Sequence, residues 1–191
     1  VLEKETMIRG DSSDYDLLEK WAKELPKENK EYILSCEIGV REGLGSKIIL
    51  DNLQPNRHIG IDPYGNLKYQ HYDHTGAYTC DYTEEMRTQL LKDMSDYKNF
   101  SLFHMKDTDY MNCFATMPDV YDFVHFDGPH MTKDVMTEAV WFANRCRLGS
   151  RFVFDDYTKY NMDLISNVLA HYGFKVVQCG NNKICLEKKT P

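Results

Sequence analysis

The sequence predicts an α/β fold, a seven-stranded and mostly parallel sheet that ends in an antiparallel hairpin. Three observations predict it. Short apolar runs alternate with helix-period segments over most of the chain. Acids or glycines fall where those runs stop: Glu37-Ile38-Gly39, Ile61-Asp62, Phe126-Asp127-Gly128 and Phe154-Asp155-Asp156. The last two runs flank Gly180-Asn181-Asn182, a turn too short for a parallel crossover, so they pair as a hairpin.

The elements follow in order. Leu17, Leu18, Trp21, Ala22 and Leu25 share one helical face after Ser12, Ser13 and Asp14, which are N-cap candidates, and Pro26 ends that helix. Strands are predicted at 32–38, 58–61, 100–104, 123–126 and 152–154, with helices between them at 44–53, 84–97, 109–117 and 133–147. Met131, Val135, Ala139, Phe142 and Cys146 form the core stripe of the fourth of these helices. A further helix with Met162, Ile165, Val168 and Leu169 inward stops at Gly173, as at a C′ glycine. Hairpin strands at 174–179 and 183–187 close the sheet. One long irregular stretch, 64–81, holds Tyr64, Tyr69, Tyr72 and Tyr78 and reads as an aromatic lid; the same surface would suit a protein interface. His71 and His74 within it lack helical periodicity and cysteine partners, so they are not read as a zinc pair. The organisation is thus an N-terminal helical extension over 1–30 and one domain over 31–191 with the 64–81 insertion.

At 191 residues and 42% hydrophobic, the chain can bury one sizeable core. The net charge of −7, with no basic run, disfavours a nucleic-acid partner. No apolar stretch approaches the roughly 20 residues of a membrane span, and the acidic N-terminus is unlike a signal peptide, so the chain is expected in the cytoplasm. The six cysteines show no CxxC spacing and read as buried reduced thiols, Cys36, Cys179 and Cys185 as small core residues in strands.

In an open parallel sheet, ligands bind outside the carboxyl ends of the strands, so the acids at those ends converge on one crevice. Gly39 allows a sharp turn and Gly43 a close approach at the next helix; two glycines around a strand–turn–helix also occur as plain structure. Arg41 stands where a GxGxxG dinucleotide fingerprint would have its second glycine. Asp62 ends the next strand where a ribose-binding acid is expected, the alternative being a turn aspartate before Pro63.

Glu37-Ile-Gly39-x-x-x-Gly43, Ile61-Asp62-Pro63-Tyr64, Phe126-Asp127-Gly128-x-His130 and Leu148-Gly149 followed by Phe154-Asp155-Asp156-Tyr157 resemble, as an ordered set over residues 33–188, the Rossmann-like class I S-adenosylmethionine-dependent methyltransferases. Within that class the pattern is similar to metal-dependent small-molecule O-methyltransferases with an IDG…DDY signature, which act on macrolide and aminocoumarin sugars, and to catechol O-methyltransferase. By that resemblance Glu37 and Gly39 lie along the methionine part of S-adenosylmethionine, with Val40, Gly43 and Asp127 bordering the cofactor. Asp62 would bind the ribose and Asp107 the adenine edge; Lys106-Asp107-Thr108 also makes a helix cap.

The resemblance makes Asp127, Asp155 and Asp156 the metal ligands. Three carboxylates in one crevice repel unless a cation relieves them, and oxygen-only ligands favour Mg²⁺. The alternative is that one aspartate caps a helix and the others are solvated. Sugar-modifying relatives carry an acid where this chain has Pro129. The catechol enzyme has a lysine three residues after its metal aspartate, where this chain has His130, a candidate general base or a residue that lines the pocket. Ser150 stands in place of the second glycine of the Gly-Gly that leads the fifth strand. Asp127-Gly128-Pro129-His130 does not match the Pro-Pro motif of base-modifying methyltransferases. The reading is Mg²⁺-assisted O-methylation of a sugar- or catechol-like small molecule, compatible with a homo-oligomer. A metal-independent methyltransferase, or a binding protein that retains the crevice, is the alternative.

Overall fold

The computed structural model describes residues 8–28 and 30–191. After helix α1 (Tyr15–Lys23) come β1 (Leu34–Ile38), α2 (Leu44–Leu53), β2 (Arg57–Ile61), β3 (Lys68–Tyr69), β4 (Tyr78–Thr79), α3 (Glu84–Asp93), β5 (Phe100–Phe103) and α4 (Asp107–Cys113). The chain continues through β6 (Phe123–Phe126), α5 (Thr132–Ala143), β7 (Arg151–Phe154), α6 (Met162–Ala170), β8 (Phe174–Cys179) and β9 (Ile184–Lys188). Seven strands form one sheet in the order β5-β2-β1-β6-β7-β9-β8. The first five are mutually parallel, and β9 runs antiparallel to both β7 and β8. The predicted fold class is the observed one. Strand order reverses between β1 and β6, which puts a ligand crevice at their carboxyl ends.

The central strands β1, β6 and β7 are buried throughout because both faces are covered. On one face Phe126, Phe142, Phe152 and Phe154 pack with α5 and α6. On the other, the apolar stripe of α1 packs with Ile49 and Leu53 of α2 and with Phe123, Val153 and Cys185 of the sheet. Leu18, Trp21 and Ala22 there are completely buried. Burial of about 1.5–3 kcal/mol per large apolar side chain makes α1 part of the core layer. Among the described residues no helix is long and apolar enough to cross a membrane.

Several local expectations are corrected. Asp14 is the residue before α1, but its φ is +58° and its side chain makes no capping bond; it accepts instead from the backbone N–H groups of Asn182 (2.6 Å) and Lys183 (3.2 Å). Helix α4 starts two residues early, because Asp107 lies inside its first turn rather than before it. Cys36, Cys80 and Cys185 are buried, whereas Cys113 and Cys179 are exposed; all six thiols are free. Cys179 is exposed because it ends β8, the edge strand of the sheet, which pairs with β9 on one flank only. The 64–81 stretch contains the small β3–β4 hairpin. Gly173 has the positive φ, +84°, expected of a residue that ends a helix.

Candidate active site

The crevice is built around Gly39. Its φ is +80°, and a Cβ there would collide with the carbonyl of Asp127, so the end of β1 touches the end of β6 through a position only glycine can fill. Gly43, with φ +88°, opens α2. The turn between them is latched by Asp62: Oδ2 accepts from the N–H of Val40 and of Arg41, each at 2.9 Å, and Oδ1 from the N–H of Tyr64 at 3.0 Å. Asp62 has no exposed surface, and burial raises its carboxyl while the three N–H groups hold it down. The acid read from the sequence as a ribose ligand therefore first fixes the glycine turn.

Glu37 is likewise buried and engaged. One oxygen accepts from Ser46 Oγ and the other meets His125 Nδ1 at 2.8 Å. Ser46 Oγ also meets His58 Nε2 (2.9 Å), whose Nδ1 meets Ser35 Oγ (2.8 Å). Burial lowers His58 to about 3, so this chain of groups contains a neutral imidazole at neutral pH. Gly45 faces Glu37, and a Cβ there would strike Oε1.

Beyond Gly39 the remaining acids gather. Asp155 Oδ1 accepts from Lys183 Nζ (2.5 Å), Asn182 Nδ2 (2.7 Å) and Ser12 Oγ (2.8 Å). Lys183 is itself completely buried. Asp127 lies within hydrogen-bonding reach of Asp155, and burial followed by that neighbour's charge pushes its carboxyl well above the usual range. Asp155 is held low against its own burial by its bond with Asp127 and by Lys183. Their shared burial and contact thus drive the two carboxyls apart, Asp127 upward and Asp155 downward. Asp156, with φ +49°, turns the other way and accepts from Tyr72 Oη at 3.2 Å.

His130 stands between the two outer acids, Nδ1 3.4 Å from Asp156 and Nε2 3.9 Å from Asp127. It is 4% exposed, and neither ring nitrogen has a hydrogen-bond partner. Desolvation lowers it to about 4, which leaves the imidazole neutral and able to accept a proton. Its backbone N–H donates to His71 O (2.9 Å), and Asp73 accepts from the N–H of Thr132 (3.0 Å), so the 64–81 segment is pinned to the start of α5. His71 is buried and His74 exposed, which separates that pair. Among the described residues one trio, Glu37, His125 and Asp127, has potential ligand atoms all within 4.8 Å of one another. The predicted trio is arranged more widely, with Asp127 and Asp155 together and Asp156 across His130.

Two cavities meet at the Gly39–Asp127 contact. One, of about 380 Å³, is mainly apolar and runs past Ile61, Asp62, Asp107, Pro129 and Met131. The other, of about 330 Å³, is polar and bordered by Tyr15, Glu37, Arg41, Asp127, His130, Asp155 and Asp156. Residues 9–12 wall this second cavity, a contribution the sequence reading missed along with those of His125 and Lys183. A polar His125 inside a wholly buried strand was the one available signal; Lys183, in a hairpin turn, carried none.

A family profile described as a methyltransferase domain matches residues 36–157. Among solved structures, CalS11, a calicheamicin methyltransferase, is 15% identical, with 91% of this chain and 76% of that chain covered and a TM-score of 0.59. Precorrin-6y C5,15-methyltransferase from Geobacter metallireducens GS-15 is 10% identical, with 97% and 96% covered and a TM-score of 0.60. The N-methyltransferase NodS from Bradyrhizobium japonicum WM9 is 10% identical, with 92% and 94% covered and a TM-score of 0.57. A sequence search of curated proteins finds no match.

Proposed function

We propose, from the premise that the chain belongs to the methyltransferase domain family and is a class I S-adenosylmethionine-dependent enzyme, that it methylates a hydroxyl oxygen of a small hydrophilic molecule with the assistance of Mg²⁺. The carrying observation is His130, a buried neutral imidazole with both nitrogens unpartnered, between two carboxylates on the wall of a polar cavity. Adenosine fits the apolar cavity, with Asp107 at the adenine edge and the ribose at the mouth beside Asp62, whose oxygens keep lone pairs beyond their backbone bonds. The methionine part passes Glu37, Gly39, Val40 and Gly43 toward the polar cavity, where the sulfonium methyl meets the acceptor. That cavity suits a polyol or sugar better than an apolar ring, because its lining offers charged and hydrogen-bonding groups. The N-methyltransferase among the structural neighbours means that the choice of oxygen rests on this cavity and not on likeness.

In the reaction an acceptor oxygen attacks the methyl carbon, the carbon–sulfur bond breaks with its electrons going to sulfur, and the hydroxyl proton passes to His130. The imidazolium so formed has Asp156 as its counter-charge, 3.4 Å from Nδ1. Asp127, Asp155 and Asp156 would hold the cation, and what supports the fit is the crowding of Asp127 against Asp155, a repulsion that a divalent ion there would relieve. Bound there, Mg²⁺ supplies an anchor for adjacent hydroxyls and lowers their pKa. A metal-independent reading draws on Lys183, whose ammonium already neutralises one charge at Asp155.

The two readings separate in a melting experiment. Mg²⁺ or Mn²⁺ at 100 times its dissociation constant should stabilise the fold by about 2.7 kcal/mol, chelator should reverse the shift, and Asp127→Asn should abolish it. Identical melting curves with and without saturating metal would favour the metal-independent reaction.

A further inference from the structure

One helical turn beyond Asp134, which lines the apolar cavity, lies a carboxylic group that none of the roles above uses. Glu138 on α5 is 1% exposed, and neither of its oxygens meets a hydrogen-bond donor. The group within side-chain reach is another acid, Asp107, which borders the cavity, and Asp134 lies one helical turn back. Two carboxylates can share such a contact only if one of them carries a proton.

We propose that Glu138 is a positioning residue for adenine recognition: as the neutral acid it donates a hydrogen bond to one oxygen of Asp107, leaving the other oxygen turned toward the 6-amino group of the cofactor. The proposal rests on the cofactor reading above and extends it to a residue that does not touch the ligand. Asp107 is half-buried at the cavity wall, where solvent or a ligand can meet it, whereas ionised Glu138 would be an uncompensated charge in the core. Burial, and then Asp107 itself, push the Glu138 carboxyl well above the usual range, which keeps the proton there. An adenine amino group donates to a carboxylate so placed; a hypoxanthine presents an acceptor oxygen at the same point and is repelled.

Calorimetric titration with S-adenosylhomocysteine and S-inosylhomocysteine tests this in the wild type, Glu138→Gln and Glu138→Met. The wild type should prefer the adenosyl ligand by about 10–100-fold, the scale of one hydrogen bond to a charged group. Glu138→Gln still donates an N–H and should keep that preference, while Glu138→Met should lose most of it. A Met variant with the wild-type preference, or a Gln variant as indifferent as the Met variant, overturns the proposal. If the Met variant does not fold, a wild-type crystal structure with S-adenosylhomocysteine decides: Glu138 bonded to Asp107, and Asp107 to the amino group, supports it, and Glu138 bonded elsewhere overturns it. Failure of the wild type to bind either nucleoside would sink the cofactor reading itself, a result distinct from retained binding with no preference to lose.

Discussion

Gly39→Ala should destabilise the protein by about 3 kcal/mol or more, a loss of about 6–12 °C in melting temperature for a chain of this size. The left-handed backbone at φ +80° is costly for any residue with a Cβ, and here the Cβ would also meet the carbonyl of Asp127 and the Cα of Gly128. Both neighbours are backbone at the end of a buried strand, so neither can swing aside as a side chain would. The same contact divides the two cavities, so a variant that still folds should bind S-adenosylhomocysteine weakly. Gly76→Ala is the control, because a Cβ there meets nothing within 4 Å, and its melting curve should match the wild type. A Gly39→Ala protein that melts within about 2 °C of wild type, under 1 kcal/mol, would mean that the strand ends are not packed as described.

The largest kinetic effect is expected at His130. Once a methyl acceptor is in hand, His130→Ala should lower kcat by about 10²–10⁴-fold, the range for a positioned general base, with affinity for S-adenosylhomocysteine nearly unchanged. The substitution spares the backbone N–H that bonds to His71 O, so the 64–81 segment should stay docked and the loss should be chemical. A near-native rate from pH 6 to 9 would remove His130 from the reaction and leave the proton to water.

Much of this architecture was legible because it is local. Apolar runs closed by glycine or acid marked the strand ends, and Gly180-Asn181-Asn182 forced the hairpin. The site was harder to read where partners are distant. A sequence shows that Asp62 ends a strand, but not that three backbone N–H groups will turn toward it. Asp155 illustrates the same limit: Ser12 and Lys183, at opposite ends of the chain, converge on one oxygen only after α1 and the hairpin have packed. Asp14 looked like a helix cap because its residue type suits one, yet two amides of the hairpin turn claimed its carboxylate. In each case tertiary geometry used a polar group that local rules had assigned to solvent, helix or ligand.

The central claim is that the cavities on either side of Gly39 form one S-adenosylmethionine site, and calorimetric titration of the wild-type protein with S-adenosylhomocysteine tests it most directly. The predicted result is saturable binding of one ligand per chain. A correctly folded protein that releases no binding heat at about 1 mM ligand, where even an affinity worth only about 4.1 kcal/mol would half-saturate the site, would contradict it.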